Sequence, residues 1–172
     1  MLCRMPQHRL DDAPLLGCGM TLDVRLFPCL SDNYGLLVRD AETGTVAAID
    51  TPDAQAILAD LEASGWGRLD LILNTHWHPD HTQGNARLKA ETGCQIVGPE
   101  EVRRISALDR VVRGGDTVML GQKALEVSDA PGHTLGHIVY HAAAEAQAFV
   151  GDVLFPLGCG RLFEGTPASR WI

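Results

Sequence analysis

The sequence predicts a layered α/β domain, and three observations point to it. Short apolar runs of strand length recur along the chain, separated by polar or glycine-bearing turns. Longer amphipathic stretches lie between them in the first half, where helices can cover one face of a sheet. The chain has 172 residues, 45% of them hydrophobic, which suits one domain of ordinary size with a real core.

Taken in order, Leu22-Asp23-Val24-Arg25-Leu26-Phe27 alternates with period two and reads as a strand. Tyr34-Gly35-Leu36-Leu37-Val38 and Thr45-Val46-Ala47-Ala48-Ile49 read as a hairpin pair joined by a polar, glycine-ended connection. A helix is expected over 53–64: Ile57, Leu58 and Leu61 form an apolar face and Gly65 stops it. A buried strand over 69–73 follows, then a helix over 84–92 ended by Gly93, a short strand over 95–97 and a short helix over 99–105. Runs at 117–120, 125–128, 138–141 and 149–150 supply a second group of strands, with turns marked by Gly114-Gly115-Asp116 and Leu120-Gly121-Gln122. Residues 1–20 read as an irregular leader and 21–172 as the domain; Met20 is an alternative start.

Composition excludes several function classes. The net charge of −8 disfavours nucleic acid and anionic membrane as partners. The chain shows no apolar run long enough to cross a bilayer, and the leader lacks the apolar core of a signal peptide. Five scattered cysteines, an odd count without a Cys-x-x-Cys pair, suggest a reducing cytoplasm and no disulfide framework. Cys159, in a Gly-Cys-Gly turn, is expected to pack near the site as a small residue.

The chemistry concentrates in Asn74-Thr75-His76-Trp77-His78-Pro79-Asp80-His81, directly after the apolar run at 69–73. Imidazole and carboxylate are borderline-hard donors that suit divalent zinc, iron or manganese. Two other strand-like runs also finish in potential ligands. One leads through Asp129-Ala130-Pro131-Gly132 to His133, and one ends at Gly151-Asp152. Ligands at the ends of neighbouring strands converge on one edge of a sheet. A fourth run ends in Asp50, read either as an outer carboxylate that orients a ligand histidine or as a turn residue before Pro52. Trp77 reads as a packing wedge, and His8 and His141 as ordinary polar residues.

His76-x-His78-x-Asp80-His81, then His133, then Asp152 resembles the metallo-β-lactamase superfamily. Within it, Cys159-Gly160-Arg161-Leu162-Phe163-Glu164-Gly165-Thr166 and Pro28-Cys29-Leu30-Ser31-Asp32-Asn33-Tyr34 resemble glyoxalase II, the hydroxyacylglutathione hydrolases. The resemblance runs from about Thr21 to Ala168 and implies an αββα sandwich. It implies His76, His78 and His133 as ligands of one metal, Asp80 and His81 as ligands of a second, and Asp152 as the bridge. Zinc is the first expectation and iron or manganese the alternatives. Asp80 and Asp152 become the catalytic carboxylates, and Arg161 and Phe163 the glutathione contacts; His137, four residues after His133, is read on general grounds as an outer group that orients a ligand, beside Asp50.

The implied activity is metal-dependent hydrolysis of a glutathione thioester, S-lactoylglutathione to lactate and glutathione, as in methylglyoxal detoxification. Family members continue past the Phe-Glu-Gly run with further strands, a last histidine and a C-terminal helical domain. The sequence ends at Trp171-Ile172, so the expectation is a sandwich with its C-terminal part missing and an exposed sheet edge. On that reading the chain holds about one firm metal and is a weak enzyme or none. The rival readings are a non-catalytic metal-binding fragment and another hydrolase of the same fold, a lactonase or β-lactamase; the Gly-Cys-Gly-Arg run argues against the last.

Overall fold

The computed structural model describes residues 22–166. The leader at 1–20, with His8, Cys3, Cys18 and the alternative start, lies outside the described residues, as do Trp171 and Ile172. Chain order begins with β1 (Leu22–Cys29), β2 (Asn33–Asp40) and β3 (Val46–Ile49), each antiparallel to its neighbour. Helix α1 (Ala54–Ser64) starts where the Asp53 carboxylate accepts the Gln55 and Ala56 amides, and stops at Gly65, whose φ of 69° few other residues adopt. Then come β4 (Leu71–Leu73), the one-turn helix α2 (Pro79–Thr82), α3 (Asn85–Thr92), β5 (Gln95–Gly98) and β6 (Arg110–Val111). The helix expected over 99–105 is instead a 3-10 turn at Glu100–Arg104. The remaining strands are β7 (Thr117–Leu120), β8 (Lys123–Asp129), β9 (Ile138–Ala142) and β10 (Gln147–Phe149).

Strands β1 to β6 form one sheet in sequence order, parallel from β3 onward, and β10-β9-β8-β7 form an antiparallel sheet. Parallel strands are covered on both faces and lose the apolar–polar alternation. All four residues of β3 are buried accordingly: Val46 and Ala48 pack with Ile57 and Leu61 of α1 and Leu88 of α3, whereas Ala47 and Ile49 pack towards the second sheet. The second sheet sends Val118, Leu120, Leu125, Val127, Ile138, Tyr140 and Phe149 into the same inter-sheet core. Its other face leaves Met119, Glu126 and Ser128 exposed. The described residues thus supply three layers, α, β and β, of the expected αββα sandwich.

This arrangement positions the site. Parallel β3 and β4 bring Asp50 and the 74–76 segment to one sheet edge, where the Asp50 amide donates to the Leu73 carbonyl at 3.1 Å. The second sheet is tied to the same edge by the Ile138 amide on the Thr75 carbonyl, 2.9 Å, and the Tyr140 hydroxyl on the Asn74 carbonyl, 2.9 Å. Among the described residues no helix is long and apolar enough to cross a membrane.

Candidate metal centre

His76 and His78 lie on the loop that leaves β4, with Asp80 and His81 on α2. Pro79 fits the first helical position because its missing N–H is unneeded there. The loop is anchored from below: the His81 carbonyl accepts the Thr51 amide at 2.7 Å and the Asn74 side-chain amide at 3.1 Å. Buried Asn85 accepts from the Thr51 hydroxyl at 2.6 Å and donates to Asn74 at 2.7 Å, so these buried polar groups satisfy one another.

The strand ends meet as the spacing predicts. His76 and His133 are buried, and a ring nitrogen of each joins one of His78 in a group whose atoms lie within 4.8 Å of one another. His76 Nε2 is 3.1 Å from His78 Nδ1, and His133 Nε2 is 2.9 Å from that same atom. Asp152 spans both halves of the site, with one oxygen 3.2 Å from His133 Nε2 and the other 3.2 Å from His81 Nε2. Asp80 is more open: its side chain is 51% exposed, 3.6 Å from His81 Nε2, and it accepts the Asn33 amide at 3.3 Å.

Outer hydrogen bonds decide which nitrogens face inward. Thr75 Oγ1 donates to Asp50 at 2.7 Å and can therefore accept from His76 Nδ1, 2.9 Å away. His133 Nδ1 donates to the Arg161 carbonyl at 2.8 Å, and His81 Nδ1 to Asp50 at 2.9 Å. Such outer partners fix tautomer and ring orientation. Inner lone pairs of His76 and His133 then both face His78 Nδ1, which has at most one proton to offer. A cation satisfies all three at once, so the donor set fits a divalent metal.

Electrostatics agree. Burial, reinforced by neighbouring imidazoles, pushes His76 far below the ordinary histidine range, and burial also lowers His78. Both stay neutral and able to donate lone pairs. Burial works against charge on His81, but Asp50 and Asp152 outweigh it and push that imidazole up to about 10. Burial opposes ionisation of Asp152, yet the His81 hydrogen bond and nearby histidines hold it below the usual carboxylate range. The acidic half of the site thus calls for a positive charge.

The outer residues also fall into place. Asp50 is buried at φ 57°, and its Oδ1 accepts the Thr75 amide at 2.8 Å. His137 stacks on His76 with centroids 4.7 Å apart, and its Nε2 accepts the Asp152 amide at 3.2 Å; burial lowers it to about 4. Phe163 meets His78 and His133 edge-on at 5.6 and 5.2 Å, and the Arg161 guanidinium lies 5.6 Å over the Phe163 ring. Gly160 allows this segment to close on the site, since a Cβ there would run into the Asp152 carbonyl. Cys159, expected to pack near the site, is exposed because Gly160 and not its neighbour makes the close approach. Trp77 wedges beside His78, 4.8 Å ring to ring. A cleft of about 390 Å³ opens beside Asp80, His81 and Asp152, walled by Leu26, Tyr34 and Phe155.

Sequence reasoning missed the supports that come from distant segments. Asn33 reaches Asp80 across the β1–β2 turn, and Glu101 accepts the Thr134 hydroxyl and the Gly136 amide on the loop after His133. Asn33 sits in the 28–34 run that carries part of the family resemblance, but no local pattern assigns it a contact, and none marks Glu101.

Known proteins resemble this chain in sequence and in fold. A hydroxyacylglutathione hydrolase of Hyphomonas neptunium is 52% identical over 154 residues, 89% of this chain and 60% of that protein. One of Erythrobacter litoralis is 51% identical over 150 residues, covering 87% and 59%. The chain therefore spans about 60% of the length of the curated relatives it matches. Among solved structures, ETHE1 from Myxococcus xanthus superposes with a TM-score of 0.74 at 31% identity, over 86% of this chain and 65% of that one. The BLEG-1 B3 metallo-β-lactamase superposes with a TM-score of 0.76 at 20% identity, over 86% and 81%, a likeness of fold alone. The profile of the metallo-β-lactamase superfamily matches residues 42–170, and with that match over most of its length the chain belongs to the metallo-β-lactamase superfamily.

Proposed function

We propose that this chain carries the metal centre of a thioester hydrolase of the hydroxyacylglutathione type, with S-lactoylglutathione as substrate and lactate and glutathione as products. The observation that carries the reading is the inward convergence of His76, His78, His133 and Asp152 beneath Phe163 and Arg161. Its support is a sequence about half identical to hydroxyacylglutathione hydrolases. His76, His78 and His133 would hold one divalent ion, Asp80 and His81 a second, and Asp152 both; zinc suits the donors best, with iron or manganese also compatible. Such ions, when bound, supply the Lewis acidity that acidifies water and polarises a carbonyl oxygen.

The chain's own groups do the positioning. Asp80, half in solvent beside the cleft, would accept a hydrogen bond from the attacking water. Asp50 holds His81, and His137 holds the Asp152 backbone. Arg161, stacked over Phe163, would pair with a glutathione carboxylate through its planar guanidinium. The leaving thiolate needs little acid assistance, because a free thiol has a pKa of about 8.5. Free Cys29 and Cys94 fit a reducing, cytoplasmic setting.

The openness of Asp80 favours a second reading beside this one, in which one ion is held firmly, the other loosely, and turnover is weak. The test is the loss of thioester absorbance from S-lactoylglutathione with zinc supplied, in parallel with metal content. Arg161→Ala should raise KM roughly tenfold, the scale of a charge-assisted hydrogen bond, and leave metal stoichiometry alone. Metal binding without any thioester turnover would sink the hydrolase reading; loss of metal from Arg161→Ala would move that side chain from substrate to support.

A further inference from the structure

Glu164 lies in the same run as Arg161 and Phe163, yet its carboxylate bonds to other parts of the chain. Oε2 accepts the Leu135 amide at 2.9 Å, and Oε1 accepts Arg104 Nη1 at 3.1 Å. The Arg104 guanidinium in turn sits 4.9 Å over the ring of Trp77, the residue between His76 and His78. Two further bonds run alongside: the Gly165 amide donates to the Gly132 carbonyl at 3.0 Å, and the Arg161 carbonyl accepts His133 Nδ1. His133 is thereby gripped on both sides, at residues 132 and 135, by one short segment. The loop has no helix or strand of its own to fix it. Glu101 takes the alternate positions, the Thr134 hydroxyl and the Gly136 amide. Between them the two carboxylates receive three successive residues of the loop.

We propose that Glu164 is a positioning residue of the metal centre. Its carboxylate locks the His133 loop to the Arg104–Trp77 pair and so sets the separation of His133 from His76 and His78. Phe163 packs on His78 and His133 with Arg161 over its ring, while Glu164, one residue on, bonds to Leu135 and Arg104, so the run has a ligand-facing side and a bracing side. The inference rests on the reading of the three histidines as metal ligands. A brace of this kind acts as outer hydrogen-bond partners do, whose loss costs on the order of 10- to 100-fold in metal affinity.

Cobalt(II) is the probe, through its visible absorption and its release to a chelator. Glu164→Ala should release cobalt at least tenfold faster and change the absorption bands, with the metal-free melting temperature close to that of the parent. Glu164→Gln retains an acceptor oxygen for the Leu135 amide and should stay within about threefold of the parent. Glu164→Asp, too short to reach both partners, should fall between; it serves where the alanine variant does not fold. Unchanged release and bands in Glu164→Ala, or in Glu164→Asp where that variant stands in, would overturn the proposal, as would a glutamine variant as impaired as alanine. A parent chain that binds no cobalt would overturn the metal-centre reading itself, an outcome distinct from a parent that binds and variants that do not differ.

Discussion

Replacing Asp50 by alanine should destabilise the metal-free chain by about 3–5 kcal/mol, the range for breaking a buried ion pair by removing one partner. The buried Asp50 carboxylate accepts from the Thr75 amide, the Thr75 hydroxyl and His81 Nδ1, at 2.8, 2.7 and 2.9 Å. Alanine removes the acceptor of all three and leaves His81 with only Asp152 and the more distant Asp80 to balance its charge. It also keeps the left-handed φ of 57°, where a Cβ is strained and a short polar side chain is better tolerated. Asp50→Asn retains part of the acceptor set and should lose less. Urea unfolding at neutral pH reads both variants. A loss below about 1 kcal/mol for alanine would mean that water replaces the carboxylate and that Asp50 does not organise this edge of the sheet.

On the proposed hydrolase reading, Asp80→Ala should behave in the opposite way in a full-length counterpart, with turnover of S-lactoylglutathione falling at least about 100-fold and stability nearly unchanged. Positioned acid–base groups contribute roughly 10²- to 10⁴-fold to rate, and exposed substitutions away from the core usually move stability by no more than about 0.5 kcal/mol. Asp80 is half exposed, and its carboxylate meets the Asn33 amide and His81. Steady-state rates beside a melting curve check the pair of expectations. Thioester hydrolysis at the parent rate would remove Asp80 from the chemistry.

The contrast between these aspartates explains what the sequence could convey. His76-x-His78-x-Asp80-His81 after an apolar run was legible because the spacing of donors is itself the signal. His133 and Asp152 were legible because each follows a strand-like run, and strands that pair deliver their ends to one edge. Asp53 and Gly65 bound α1 by local capping, which sequence carries well. Helix α2 was missed because four residues have no periodicity to read, and β6 because two residues do not. The 99–105 stretch was read as a short helix, and Glu100–Arg104 within it form one of 3-10 geometry, a distinction that so short a run does not encode. Braces such as Glu101, Glu164 and Asn33 act across 29 to 47 positions of chain, far beyond any local pattern.

The central claim is that His76, His78, His133 and Asp152 hold a metal ion, and zinc titration in competition with a chromophoric chelator tests it most directly. The parent chain should bind one zinc firmly and a second more loosely, and His133→Ala should weaken the firm site at least 100-fold while Glu126→Gln, on the far face of the second sheet, leaves it unchanged. A parent that binds no zinc, or a His133→Ala variant that binds it as tightly as the parent, would contradict the account.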